Sequence, residues 1–258
     1  MKLIRAGCFA AVTLSMSTTP SFSGTMGSQN IDQGNWYIAA ELGPQWSSID
    51  KHITVDNGSG YPAPYNLDQY STKTATQPFI GFEGGYRWQK AGTWLPAYSL
   101  GLRYKHAFAK DIGLQITQYS LPEFTNYNYD WQISSDVVLA AAKLSLFKCG
   151  QLFPYLSGGV GVAFNHASKF SETALAGVTP RLSPLFHSRT RNEFAYTLGA
   201  GVDWQAYPQL IASLGYEFQD VGRAYSGYGV GTWDGNILNS GSYQSNSLLL
   251  RATYLLVT

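Results

Sequence analysis

The sequence predicts an all-β fold: an eight-stranded antiparallel up-and-down transmembrane β-barrel with short periplasmic turns and four long extracellular loops. Three observations predict it. Eight segments alternate apolar residues with small or polar ones, charges fall on the polar side of those segments, and the connections between them alternate short and long. Alternation of this kind marks a strand with unlike faces.

The stretch FAYTLGAGVDWQAYPQLIASLGYEF, residues 194–218, shows the pattern most plainly. One face reads Phe194, Tyr196, Leu198, Ala200, Val202 and Trp204, then Leu210, Ala212, Leu214, Tyr216 and Phe218. The other reads Ala195, Thr197, Gly199, Gly201, Asp203 and Gln205, then Ile211, Ser213, Gly215 and Glu217. A soluble sandwich would show Lys, Glu and Thr on its polar face. Small residues around two carboxylates suit the crowded, curved inside of a small barrel, and lipid takes the apolar face.

This hairpin supplies the sixth and seventh strands. The first, 36–47, sets Trp36, Ile38, Ala40, Leu42 and Trp46 against Glu41. The second, 78–88, sets Ile80, Phe82, Tyr86 and Trp88 against Glu83 and Arg87. The third, 98–108, sets Tyr98, Leu100, Leu102, Tyr104 and Phe108 against Arg103 and Lys105. The fourth, 137–147, sets Val138, Ala140, Ala142, Leu144 and Leu146 against Lys143. The fifth, 155–166, sets Leu156, Val160, Val162 and Phe164 against Gly159, Gly161 and Asn165. The eighth, 247–256, sets Leu248, Leu250, Ala252, Tyr254 and Leu256 against Arg251 and Thr253. About ten residues is the length at which a tilted strand crosses a bilayer. Residues 89–97, 148–154 and 205–209 read as the short turns, and 48–77, 109–136, 167–193 and 220–246 as the long loops. Closure removes sheet edges that lipid could not satisfy.

The N-terminus, MKLIRAGCFAAVTLSMSTTPSFSG, has the positive start, short apolar run and small residues of an export signal. We expect residues 1–23 to be the signal, 24–35 a periplasmic lead and 36–258 the barrel. Loss of Lys2 and Arg5 with the signal leaves fifteen basic against sixteen acidic residues, which argues against a nucleic-acid partner. Aromatic residues make up 15% and charged ones only 13%, and no run of about twenty apolar residues is present. Cys149, the one cysteine outside the signal, reads as an incidental turn residue and permits no intrachain disulfide.

On this pattern the chain, over roughly residues 36–256, resembles the small eight-stranded outer-membrane β-barrels of Gram-negative bacteria: the OmpA transmembrane domain, the OmpX type and the opacity-protein group. The resemblance implies an outer-membrane location, lipid and lipopolysaccharide around the wall, insertion by the barrel-assembly machinery and a monomeric state. Such barrels usually end in an aromatic residue read by that machinery, whereas this chain ends RATYLLVT, with Thr258 last.

Glu41, Glu83, Arg87, Arg103, Lys105, Lys143, Asp203, Glu217 and Arg251 share the inward face. A cation facing mid-bilayer lipid costs about 2–4 kcal/mol, whereas inside the barrel it meets carboxylates. An eight-stranded bore is just wide enough for side chains to fill. A bore crossed by such pairs is a plug, which argues against a diffusion porin.

Two functions stay open on the sequence. The leading one is a non-enzymatic surface barrel that serves envelope integrity, adhesion or host interaction through its loops, with a host-surface or phage ligand as partner. Long loops on a rigid scaffold are where binding usually resides. Their aromatics are Tyr61, Tyr65, Tyr70, Tyr119, Phe124, Tyr127, Tyr129, Tyr225, Tyr228, Trp233 and Tyr243, expected at the outer girdle or at binding tips. Lys169, Arg181, Arg189 and Arg191 are candidate lipopolysaccharide contacts, because basic groups pair with phosphate. The other function is a lipid A or phospholipid hydrolase. NHAS at 165–168 puts His166 and Ser168 on the lipid-facing parity with Glu172 close behind, a base, a nucleophile and an orienting acid. That H-x-S spacing resembles the lipid A 3-O-deacylase family, whose acid falls where this chain has Pro180. The glycine cluster GYGVGTWDG precedes no helix and so is no phosphate loop. No metal-ligand cluster and no cofactor are expected.

Overall fold

The computed structural model describes residues 33–180 and 186–256. The signal segment, most of the expected lead, Arg181 and Thr258 lie outside the described residues. Gln33, Gly34 and Asn35, read as part of the lead, already belong to the first strand.

Eight strands close into one ring through antiparallel pairs. They are β1 (Gln33–Ser48), β4 (Ala75–Gln89), β5 (Trp94–Asp111), β7 (Thr125–Phe147), β8 (Leu152–Ala174), β9 (Arg189–Tyr207), β10 (Leu210–Asp220) and β11 (Gln244–Leu256). Each pairs with the next in that order, and β11 pairs back onto β1 with Glu41 opposite Arg251. No edge is left in the ring, so the wall satisfies its own backbone hydrogen bonds, as lipid requires.

Three further strands lie inside segments read from the sequence as loops. These are β2 (His52–Asp56), β3 (Leu67–Thr72) and β6 (Gly113–Thr117). They pair β2–β3, β3–β6 and β6–β7, and so carry the wall of β1, β4 and β5 upward on one side. β7 and β8 rise with them and stay paired from Ser145 opposite Tyr155 to Tyr127 opposite Ala174. Each has 23 residues, roughly 75 Å of extended chain, far more than a bilayer needs. The expected long loop 109–136 is therefore mostly strand, and 167–193 begins and ends in strand. Residues 118–124, with two short 3-10 turns, and, among the described residues, 175–180 and 186–188 remain as their irregular parts.

The physical reason is a change of sign. In the membrane band the outward columns are apolar, for example Ile38 and Leu42 of β1, Leu100 and Leu102 of β5, and Leu214 of β10. Higher up the apolar side turns inward. Ile53, Val55, Tyr70, Ile116, Tyr127, Tyr129, Trp131 and Phe170 form one buried cluster there. Residues 221–243, the β10–β11 connection, close over that cluster with Val221, Ala224, Trp233, Leu238 and Tyr243, and Phe186 joins them. A fully buried large apolar side chain contributes roughly 1.5–3 kcal/mol, which is what makes strands of these segments.

The small residues of the 194–218 hairpin answer a spatial demand. Gly201 and Gly215 face each other across β9 and β10, and the Tyr155 hydroxyl lies against both. A Cβ on Gly201 would sit 2.6 Å from that hydroxyl.

Candidate functional site

The bore is stacked in layers, and the first, above a small apolar cluster of Tyr37, Ala39, Ile211 and Leu255, is charged. Arg103 reaches both Glu41, at 2.5 Å, and Glu217, also at 2.5 Å. Lys105 joins Glu217 at 3.1 Å. Arg251 binds Glu83 at 2.7 Å and lies 3.6 Å from Glu41. The Tyr37 hydroxyl donates to the other oxygen of Glu83. A second group joins Lys143 to Asp203 at 2.6 Å, with Arg87 3.7 Å from the other Asp203 oxygen and the Ser213 hydroxyl donating at 2.7 Å. Lys105 also lies over the Phe79 ring, and Lys143 over the Tyr155 ring. All nine charged side chains are buried except Arg251, which is nearly so. The space left among Glu41, Glu83, Arg103, Lys143, Tyr155 and Arg251 is about 10 Å3, near the size of one water probe.

Above the charges lies a neutral polar collar. Its members Gln45, Ser47, Gln77, Gln219, Ser245 and Ser247 are all buried. Gln77 donates to the Tyr243 hydroxyl at 3.1 Å, and burial pushes that hydroxyl above the usual tyrosine range. The Asn165 amide donates to the carbonyls of Val221 at 2.7 Å and Arg223 at 3.0 Å, and the Ser135 hydroxyl donates to its oxygen. These bonds fix both ends of the 221–243 segment to the wall. Within the segment Ser226 and Leu238 exchange bonds, as do Ala224 and Ser240. The third layer is the apolar roof.

Several loop residues therefore sit elsewhere than the sequence suggested. Tyr70, Tyr127, Tyr129, Tyr225, Trp233 and Tyr243 are core, because they fill the roof rather than a girdle or a tip. Tyr61, Tyr65, Phe124 and Tyr228 are exposed. Tyr119 bridges two of them, with its ring 6.2 Å from Tyr61 and 5.9 Å from Phe124.

The structure does not bring His166, Ser168 and Glu172 together. His166 Nδ1 lies 2.9 Å from the Thr190 hydroxyl on the outer wall. A bulge between β7 and β8 then shifts the register, with Lys169 at φ 51°. Past it the parity is reversed, so Phe170 is buried, and Glu172 accepts from the Tyr70 hydroxyl at 3.3 Å on the inner side. A nucleophile outside the wall cannot share a proton relay with an acid inside it.

The basic residues also divide. Lys169 is exposed at the bulge. Arg189 and Arg191 share the inward parity of β9, and Arg191 binds Glu193 at 2.6 Å while lying over the Tyr225 ring. Arg191 is thus paired inside the rim, and Arg189, opposite buried Ala167, shares its inward parity. Cys149 is exposed in the turn between β7 and β8. Among the described residues no group of His, Cys, Asp and Glu is arranged to hold a metal ion, and no helix is long and apolar enough to cross a membrane.

No protein-family model matches the chain, and no curated protein matches it. Among solved structures it is similar to the outer membrane protein OprG from Pseudomonas aeruginosa, at 12% identity and a TM-score of 0.49, over 86% of this chain and 98% of that one. It is similar to Neisserial surface protein A at 12% identity and a TM-score of 0.46, over 87% and 100%. It is also similar to the outer membrane protease OmpT from Escherichia coli, at 9% identity and a TM-score of 0.46, over 90% and 100%. The strand count, the closure without edges and the apolar outer band stand on the chain's own geometry, and by them it is a small eight-stranded β-barrel of the outer-membrane kind.

Proposed function

We propose that the chain is a non-enzymatic surface barrel of a bacterial outer membrane, monomeric and inserted by the barrel-assembly machinery, whose outer tips recognise a host-surface or phage ligand. The observation that carries this reading is the contrast between a bore filled along its length and a tip with exposed aromatics. The charged layer leaves about 10 Å3 of space, and the apolar roof lies above it. Tyr61, by contrast, is 60% exposed and Tyr228 59% exposed, although buried apolar places lie close by in the same segments. Tyr and Trp are favoured at recognition surfaces, and an exposed cluster of them is more informative than a scattered one.

The test is attachment. Bacteria displaying the chain with Tyr61→Ser and Phe124→Ser should lose adhesion to cultured host cells. The purified double variant should keep the gel shift between unheated and boiled samples that a closed barrel gives. Unchanged adhesion with an intact barrel would remove the tip from the function. Lipopolysaccharide contact, in the same reading, falls to exposed Lys169 rather than to Arg189 or Arg191.

A further inference from the structure

Among the described residues the outward columns of the ring strands carry few carboxylates and imidazoles. Apart from Asp111, Asp130 and Asp220, in the upper parts of β5, β7 and β10, these are one carboxylate, Asp136, and two imidazoles, His106 and His166, gathered in one place. They sit on three neighbouring strands. His106 of β5 is directly opposite Asp136 of β7, and His166 of β8 is opposite Ser134, two residues along the same outward column. Phe108 lies against the His106 ring and Phe164 is directly opposite Asp136, both exposed on the outer wall where aromatic side chains mark the headgroup region.

A carboxylate on this face is costly unless something holds it. Asp136 Oδ1 accepts from the Tyr104 hydroxyl at 2.5 Å and lies 2.7 Å from His106 Nδ1. The His106 ring stands edge-on to Phe108, with centroids 4.8 Å apart. His166 is held in the same sense, through its Nδ1 to Thr190. In both imidazoles the nitrogen nearer the backbone is engaged by the protein. Nε2 is left for something outside it, and the second nitrogen's bond sets which nitrogen is available. Nε2 groups on a lipid-facing wall, one ring oriented by the carboxylate behind it and the other by a hydroxyl, suit a phosphate ester. Exposed Lys169, three residues beyond His166, adds a cation on the extracellular side.

We propose that His106 and His166, with Asp136 and Tyr104 orienting His106, form a binding site for the phosphate of an outer-leaflet lipid. It rests on the reading that this wall faces lipid, which the gel shift of the closed barrel tests separately. Asp136 and Tyr104 act through His106 and are positioning residues.

The full chain, labelled with 15N at histidine and held in phosphate-free maltoside micelles, provides the test. Its other histidines, His52 and His187, lie outside the ring strands' outward columns and serve as internal controls. Lipopolysaccharide, phosphatidylglycerol or inorganic phosphate is then added. The Nε2 resonances of His106 and His166 should move on adding lipid phosphate, with His52 and His187 unmoved. A response to lipopolysaccharide alone identifies the lipid A phosphates as the ligand, and a response to both lipids identifies any glycerophosphate. The His106→Gln, His166→Gln double variant, still heat-modifiable, should retain roughly ten-fold less phosphate lipid through purification. No movement with either lipid, equal movement of all four histidines, or the same response to inorganic phosphate alone would overturn the proposal.

Discussion

The lower and upper halves of this barrel are built from the same strands and filled by opposite chemistry. In the membrane band the inside is charged and the outside is apolar. Above it the inside is aromatic and aliphatic and the outside is polar. β7 shows the reversal within one unbroken strand. Its upper part turns Tyr127, Tyr129, Trp131 and Ile133 inward and Asn126, Asn128 and Asp130 outward, whereas its lower part turns Val138, Ala140, Ala142 and Leu144 outward, with Lys143 inward beside Val137, Leu139 and Ala141. The backbone does not change, but the solvent beyond the wall does. The interior follows, since an upper wall bathed in water must bury its apolar face, and a lower wall bathed in lipid must hide its polar one.

The two fillings should fail differently, and the largest difference lies in the charged layer. Glu217 holds both Arg103 and Lys105. Among the described residues Lys105 forms no other ion pair, so Glu217→Gln strands a buried ammonium and weakens a buried guanidinium. Losing one partner of a buried pair costs about 3–5 kcal/mol. We expect that loss in urea unfolding of the refolded barrel, with a lower temperature for the heat-modified gel shift. A loss below about 1 kcal/mol would mean that the layer is hydrated enough to screen its charges.

A smaller and more local effect is expected in the roof. Leu238 is wholly buried among Ala224, Trp233 and the wall aromatics. Leu238→Ala should weaken the docking of residues 221–243 by about 3 kcal/mol, the scale of a core leucine truncation. Hydrogen exchange in that segment should quicken while the band strands stay protected. The exposed Val230→Ala in the same segment should change neither. Equal loosening of the whole barrel would show that roof and wall unfold as one unit.

The same contrast explains what could be read from the sequence. The eight strands of the ring and their inward charges were legible, because apolar residues out and charges in is a pattern with one solution. The upward extension was hidden by the phase reversal. His52 to Asp56 alternates as cleanly as any strand, with Ile53 and Val55 buried, but on the parity that a search for lipid-facing residues discards. The segment beginning at Thr125 looked like a loop for the same reason, and Tyr127 and Tyr129 looked like tip or girdle aromatics. The bulge at Lys169 had no sequence signal beyond a switch of apolar parity between Ala167 and Phe170, so nothing separated Glu172 from His166 and Ser168. Asp136 was missed because it fell on the last residue of an expected loop. An outward-facing carboxylate one step above Val138 was the available clue.

The smallest expected effect tests whether the two halves act as independent seals. The charged layer and the roof lie in series along one bore, so either alone should block it. Removing bulk from the roof, by Trp233→Ala with Leu238→Ala, leaves Arg103, Arg251 and their carboxylates across the bore. Removing bulk from the charged layer, by Arg103→Ser with Arg251→Ser, leaves the roof cluster of Trp131, Phe170, Phe186 and Trp233 above it. Each double variant, reconstituted in a planar bilayer, should therefore give the same lack of steady conductance as the parent. The quadruple variant should give brief, small openings, because both constrictions are then relaxed. A steady pore from the charged-layer variant alone would mean that the roof leaves a path around the 221–243 segment. A steady pore from the roof variant alone would mean that the ion pairs open and close at rest, and the lower half would then be a gate rather than a plug.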